Sequence, residues 1–222
     1  MIMVRVVCIL AALGVASDAY ADFAMIMAPA NFSPLPVRSW KSLRDHRIVK
    51  QDLDYSCGSA SLATLLNGFY GELFKEQDFL KAMDTGKRKA SFEDMARVLP
   101  TFGYKAQGFS SSWDQLSQLQ IPVVVYLKYR REDHFSVIRG IDSSSVWLAD
   151  PSFGNRIFSK EEFLKMWQIS GREEEHLDNK DRGKILVILP IGEGKRDSQF
   201  FTRSPPRRTA VTERILSTKI WP

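Results

Sequence analysis

Gln51-Asp52-Leu53-Asp54-Tyr55-Ser56-Cys57-Gly58 places a glutamine six residues before a cysteine, and a leucine-rich pattern begins directly after it. Leu62, Leu65, Leu66 and Phe69 recur at i, i+3, i+4 and i+7, which predicts a helix that opens at Cys57 and buries one face. A thiolate in the first turn of a helix is stabilised by the positive end of the helix dipole. A side-chain amide just upstream can aim a hydrogen-bond donor at a developing oxyanion. Gln51 and Cys57 are therefore read together, as oxyanion donor and nucleophile.

Working outward, Gly68 and Gly71 are expected to stop that helix, and further helices are expected from about Lys75 to Met83 and from Ser91, whose Ser91-Phe92-Glu93-Asp94 resembles a capping box. Pro100 and Gly103 close the third, and Ser112 is placed to cap a short fourth through Leu119. The period then changes. Val123–Tyr129, His134–Ile141 and Ser145–Asp150 read as strands, Arg156–Phe158 as a shorter one, and Lys184–Leu189 as the last. Ser159-Lys160-Glu161-Glu162 should cap a helix through Trp167. Helices that precede strands predict an α+β fold, with N-terminal helices packed on a C-terminal antiparallel sheet.

The hairpin between Ser136 and Ala149 suggests the partners of Cys57. With the turn at Asp142-Ser143-Ser144, His134 and Asp150 average to 142, so the two should lie almost opposite each other. Asp150 would then hold the imidazole while its other ring nitrogen faces Cys57. Asp133 should point to the opposite face of its strand, and Asp142 lies in the turn. His46 and His176 fall in polar, irregular stretches and are read as surface residues. Zinc is disfavoured, because one Cys, one His and one Asp lack CxxC or HxxxH spacing. No cofactor is expected.

A chain of 222 residues can bury one good core without splitting into two domains. Arg5, the apolar run Val6–Val15 and Ala19-Tyr20-Ala21 have the layout of a cleavable secretory signal, so residues 1–21 are assigned to it, with cleavage near Ala21 and a periplasmic or secreted product. The same cut removes Cys8 and leaves Cys57 as the one remaining cysteine. An unpaired thiol in an oxidising compartment implies reactivity or deep burial. Residues 22–47 are expected as an extended lead-in, 48–190 as the folded domain, and 191–222 as a basic flexible tail able to meet an acidic partner, anionic lipid or peptidoglycan. The net charge is +5, yet no aromatic-interleaved basic platform or nucleic-acid motif accompanies it. After signal cleavage nothing in the sequence is long and apolar enough to span a bilayer.

Val49-Lys50-Gln51, Tyr55-Ser56-Cys57-Gly58-Ser59-Ala60-Ser61-Leu62-Ala63-Thr64-Leu65-Leu66, His134-Phe135-Ser136-Val137-Ile138 and Leu148-Ala149-Asp150-Pro151-Ser152-Phe153-Gly154 together resemble the double-glycine leader peptidase family, a papain-like cysteine peptidase family. The resemblance covers about Trp40 to Trp167. It implies Cys57 as nucleophile, His134 as general base, Asp150 as its orienter and Gln51 as oxyanion donor. It also implies cleavage of an exported polypeptide after small residues, often Gly-Gly. Transporter members usually carry Asp before the nucleophile, where this chain has Ser56. The sequence also lacks a transmembrane bundle and a GxxxxGK[ST] phosphate loop, so ATP use is not carried over. Among stand-alone secreted members, the overall layout is similar to that of peptidases of functional-amyloid export systems, which implies a secretion-system or amyloid-system component as partner. The rival readings are a non-catalytic module that holds a peptide in the same cleft and an assembly factor of an export machine.

Overall fold

The computed structural model describes residues 23–25, 34–36, 39–129, 132–167 and 182–204. The predicted signal segment, residues 168–181 with His176, and residues 205–222 of the expected tail lie outside the described residues. The chain divides after Trp40. In the first unit, β1 (Phe23–Met25) pairs antiparallel with β2 (Pro34–Pro36), inside the stretch expected to be an extended lead-in. That stretch also contains a short helix, α1 (Trp40–Arg44).

The second unit is built around α2 (Cys57–Leu65), and all nine of its residues are buried. The expectation of a single buried face is corrected here. Gly58, Ser59, Ala60, Ser61 and Ala63 are small on every side, so neighbours close in all round. A Cβ on Gly58 would lie 2.5 Å from Met95 Cε. The helix continues past Gly68 as a π-helical turn, Leu66–Tyr70, and ends at Gly71 in the left-handed conformation. Gly68 is a contact point and not a stop, because a Cβ there would lie 2.2 Å from the Phe200 ring.

Two further helices follow, α3 (Glu76–Met83) and α4 (Phe92–Val98). Ser91 caps α4 as expected, with Ser91 Oγ accepting from the Asp94 amide. Residues Leu99–Phe102 form a 3-10 turn. The strands β3 (Tyr104–Ser112), β4 (Val123–Tyr129), β5 (Glu132–Ile141), β6 (Ser145–Asp150), β7 (Gly154–Ser159) and β8 (Arg182–Pro190) form one antiparallel sheet in the order β3-β8-β4-β5-β6-β7. Two helices interrupt the strands, α5 (Trp113–Ser117), capped by Ser112, and α6 (Lys160–Trp167). The fold is therefore α+β with helices packed on an antiparallel sheet.

β3 has no counterpart in the sequence reading. Lys105, Gln107, Gly108 and Ser110–Ser112 give it little intrinsic strand preference, and pairing along its whole length with β8 supplies the order instead. The expected flexible tail also needs correction for its described part. Phe200 is fully buried, Phe201 nearly so, and the amide of Thr202 donates to Arg139 O at 3.0 Å while Thr202 O accepts from the Ile141 amide at 3.1 Å. An aromatic pair hidden among polar residues supplied the burial that composition alone did not suggest.

Candidate active site

Cys57 is the first residue of α2, and Ser56 takes the N-cap position without capping the helix by its side chain. Ser56 Oγ instead donates to Leu53 O at 2.7 Å and accepts from the Leu53 amide at 3.2 Å, closing a turn ahead of the cysteine. The first-turn amides of α2 are thus not taken by that hydroxyl, and they sit at the positive end of the helix dipole. Cys57 is 1 % exposed and is a free thiol.

His134 Nε2 and Asp150 Oδ2 are 2.9 Å apart, with side chains 12 % and 6 % exposed. Asp150 thus takes Nε2 and leaves Nδ1 to other partners, and Cys57 lies close enough to influence the imidazole. Burial pulls the His134 pKa down, but the hydrogen bond His134 donates to Asp150, the neighbouring Cys57 side chain and the Asp150 charge outweigh it, and the group is pushed up to about 9. For Asp150, burial works to raise the pKa, and the hydrogen bond and charge of His134 with the Phe153 and Ser152 amides bring it below the usual carboxylate range. Both amides donate to Oδ1 at 2.9 Å. This geometry favours the protonated imidazole of His134 beside the ionised Asp150.

The sequence reading placed His134 almost opposite Asp150, and the ladder differs from an exact pairing by two residues. At the turn, Ile141 pairs with Val146 and Gly140 with Trp147, so paired numbers sum to 287; beyond the bulge between Ile138 and Gly140, Ile138 pairs with Leu148 and Val137 with Ala149, and the sum is 286. Continued, this register sets Asp150 against Ser136, diagonal to His134 and on the same face. Had the first register persisted, Asp150 would oppose Val137 and point to the other face. The extra residue at Arg139 thus brings Asp150 onto the face that carries His134. Arg139 is 3 % exposed; its guanidinium donates to Asn155 Oδ1 at 2.9 Å and stacks over Trp147 and Phe200.

Gln51 lies on the loop before α2, fastened to the β6–β7 turn. Its amide N–H donates to Pro151 O at 3.2 Å, its Nε2 to Leu53 O at 3.0 Å, and its Oε1 accepts from Ser152 Oγ at 2.7 Å. Lys50 Nζ donates to Ser152 O at 2.7 Å. The sequence-predicted residues thus occupy one neighbourhood, with Cys57 against His134, His134 against Asp150, and Gln51 joined through Ser152 to Asp150. Asp133 turns away as expected, accepting from the Tyr126 hydroxyl, and Asp142 closes the β5–β6 turn.

Two residues were not singled out from the sequence. Ser152 follows an Asp-Pro pair, a turn signal that marks its place but not its partner. Glu76, 2 % exposed at the start of α3, accepts from the Asp52 amide through both carboxylate oxygens, at 3.2 and 3.1 Å, and so anchors the Gln51–Cys57 loop. Burial, the largest influence on it, raises its pKa above the usual carboxylate range. Beside the first turn of α2 a groove of about 540 Å³ runs between Ala90, Phe92, Tyr126 and Phe135, edged by Lys89 and Lys128. Among the described residues no cluster of three or more His, Cys, Asp or Glu side chains is arranged to hold a metal ion.

Comparison with known proteins follows the same segments. Residues 45–170 match the peptidase C39 family. A probable functional amyloid protease, FapD, of Pseudomonas fluorescens is 34% identical over 183 residues, covering 78% of this chain and 74% of the relative. The protein of the same description from Pseudomonas aeruginosa is 33% identical over 137 residues, covering 57% of this chain and 61% of the relative, so the chain spans under two thirds of that protein. Among solved structures, the peptidase domain of Streptococcus ComA superposes with a TM-score of 0.53 at 20% identity, covering 64% of this chain and 97% of that one. A double glycine motif protease from an AMS/PCAT transporter, in complex with its leader peptide, gives a TM-score of 0.53 at 19% identity, covering 64% of this chain and 90% of that one. These two likenesses establish the papain-like fold.

Proposed function

The chain belongs to the peptidase C39 family and carries a cysteine peptidase domain, and from that premise we propose that Cys57 is the nucleophile, His134 the general acid and base, Asp150 the orienter of His134, and Gln51 an oxyanion donor. The observation that carries this reading is the 2.9 Å His134–Asp150 pair beside Cys57 at the first turn of α2. The Cys57 proton passes to His134, and the thiolate attacks the carbonyl carbon of the scissile peptide. The carbonyl oxygen becomes an oxyanion beside the first-turn amides of α2 and the Gln51 amide. Collapse breaks the C–N bond, His134 gives its proton to the leaving amine, and water, deprotonated by His134, releases the acid and restores the thiol.

The substrate is an exported polypeptide, cut after small residues such as Gly-Gly and fed as an extended segment past the groove between Phe92 and Phe135. The resemblance to the FapD proteases supports a role in functional-amyloid secretion after export to the periplasm. Comparing the N-termini of exported proteins in cells carrying wild type or Cys57→Ala tests this. Under this reading at least one exported protein keeps an uncleaved N-terminal segment in the variant. Identical termini in both strains would leave the protein as a binding module.

A further inference from the structure

Gln51 can serve an oxyanion only if its amide presents nitrogen, not oxygen, toward the thiol. Leu53 O has lone pairs alone, so the amide atom 3.0 Å from it must be Nε2. Oε1 then faces Ser152 Oγ at 2.7 Å, and the serine hydroxyl must be the donor. Reversing the amide would set two acceptors against each other at Leu53. One Nε2 hydrogen goes to Leu53 O; the other is the one a tetrahedral oxygen would take.

The rest of Ser152 is committed as well. Its amide donates to Asp150 Oδ1 at 2.9 Å, and its carbonyl accepts from Lys50 Nζ at 2.7 Å. With the Gln51 amide on Pro151 O, this clasps Lys50-Gln51 to Pro151-Ser152. We propose that Ser152 is a positioning residue for catalysis, its hydroxyl fixing the Gln51 amide with Nε2 toward the oxyanion while its backbone holds Asp150. This rests on the assignment of Gln51 as oxyanion donor made above. A side-chain hydroxyl is needed at 152, and a methyl in its place frees the amide to rotate.

The test compares two reactions of Cys57 that differ in whether an oxyanion forms. Acylation by N-acetylglycyl p-nitrophenyl ester, read as the burst of nitrophenol, passes through a tetrahedral oxyanion; alkylation by iodoacetamide reports the thiolate alone. Gln51→Ala should slow acylation on the order of 100-fold, as loss of one oxyanion donor does, and Ser152→Ala on the order of 10-fold. Alkylation should be unchanged in both. Ser152→Thr should restore acylation, and the Gln51→Ala/Ser152→Ala double variant should be no slower than Gln51→Ala. Ser152→Ala slowing alkylation as much as acylation would overturn the proposal, since the residue would then act through His134 or the fold. So would a double variant whose losses multiply. If Gln51→Ala leaves acylation intact, the oxyanion assignment itself fails and the proposal falls with it; if Gln51→Ala is slow and Ser152→Ala is not, only the role of Ser152 fails.

Discussion

Asp150→Asn should drive the pKa of His134 through its ordinary value to the other side. In the native arrangement the imidazole is pushed from 6.5 to about 9 although burial works against it. That gap corresponds to about 3 kcal/mol favouring the protonated form, and it is a net figure, so the partners supply more than that to overcome desolvation. The Asp150 hydrogen bond leads the raising influences, followed by Cys57. In a Cys57→Ala background the His134 midpoint should stay above 6.5, and in Cys57→Ala/Asp150→Asn, where burial is left unopposed, it should fall below 6.5. NMR titration of the imidazole signals measures this, with the His134 signal identified among three histidines by its loss in His134→Asn. A double-variant midpoint still above 6.5 would refute the account.

The same linkage sets a pH window for stability. The His134 contribution is complete below 6.5 and is lost as pH rises through about 9; the Asp150 contribution is present above 3.8 and is lost as pH falls through its lowered value. The denaturant midpoint of Asp150→Asn should therefore lie furthest below wild type near pH 5 to 6 and approach it above pH 9.

Phe200→Ala should cost about 3 to 5 kcal/mol, on the order of 10 °C in melting temperature by circular dichroism, because it empties a fully buried site beside Gly68, Arg47 and Arg139. An unchanged melting temperature would mean that residues 197–202 do not pack. Gly68→Ala sets two effects against each other: helix propensity alone favours alanine by about 1 kcal/mol, but its Cβ would lie 2.2 Å from the Phe200 ring. Repacking costs about 1 to 3 kcal/mol, so the denaturant midpoint should fall. Glu76→Ala should destabilise by about 1 to 3 kcal/mol through the orphaned Asp52 amide, whereas Glu76→Gln keeps an acceptor and sheds a buried charge, and should match or exceed wild type at pH 7. Equal losses in both variants would show that the carboxylate is held as an ion.

What was legible in the chain was local. The start of α2 at Cys57, the serine caps at Ser91 and Ser112, and the strands from Val123 to Asp150 follow from periodicity and turn chemistry, which act over a few residues. The four candidate site residues could be named because two flank a helix start and two flank a hairpin. Their arrangement was another matter. Counting from a turn centred at Asp142 put His134 almost opposite Asp150; the observed turn is centred between Ser143 and Ser144, and the bulge at Arg139 then moved the register by one and kept both side chains on one face.

That bulge is secured by groups remote in sequence. Arg139 needs Asn155, Trp147 and Phe200 around it, and Gly140 lies so close to Thr202 that a Cβ would approach its Cγ2 to 3.0 Å. β3 is likewise ordered by its partner β8, and the Gln51 amide by a serine 101 positions later. The sequence by itself determined the residue types, the helix that presents the cysteine, and the alternation of the strands, since these depend on neighbours along the chain. Only the tertiary structure decided which face carries the His–Asp pair, how the glutamine amide is turned, and that part of the basic tail belongs to the core, because each depends on contacts that exist only after distant segments have packed.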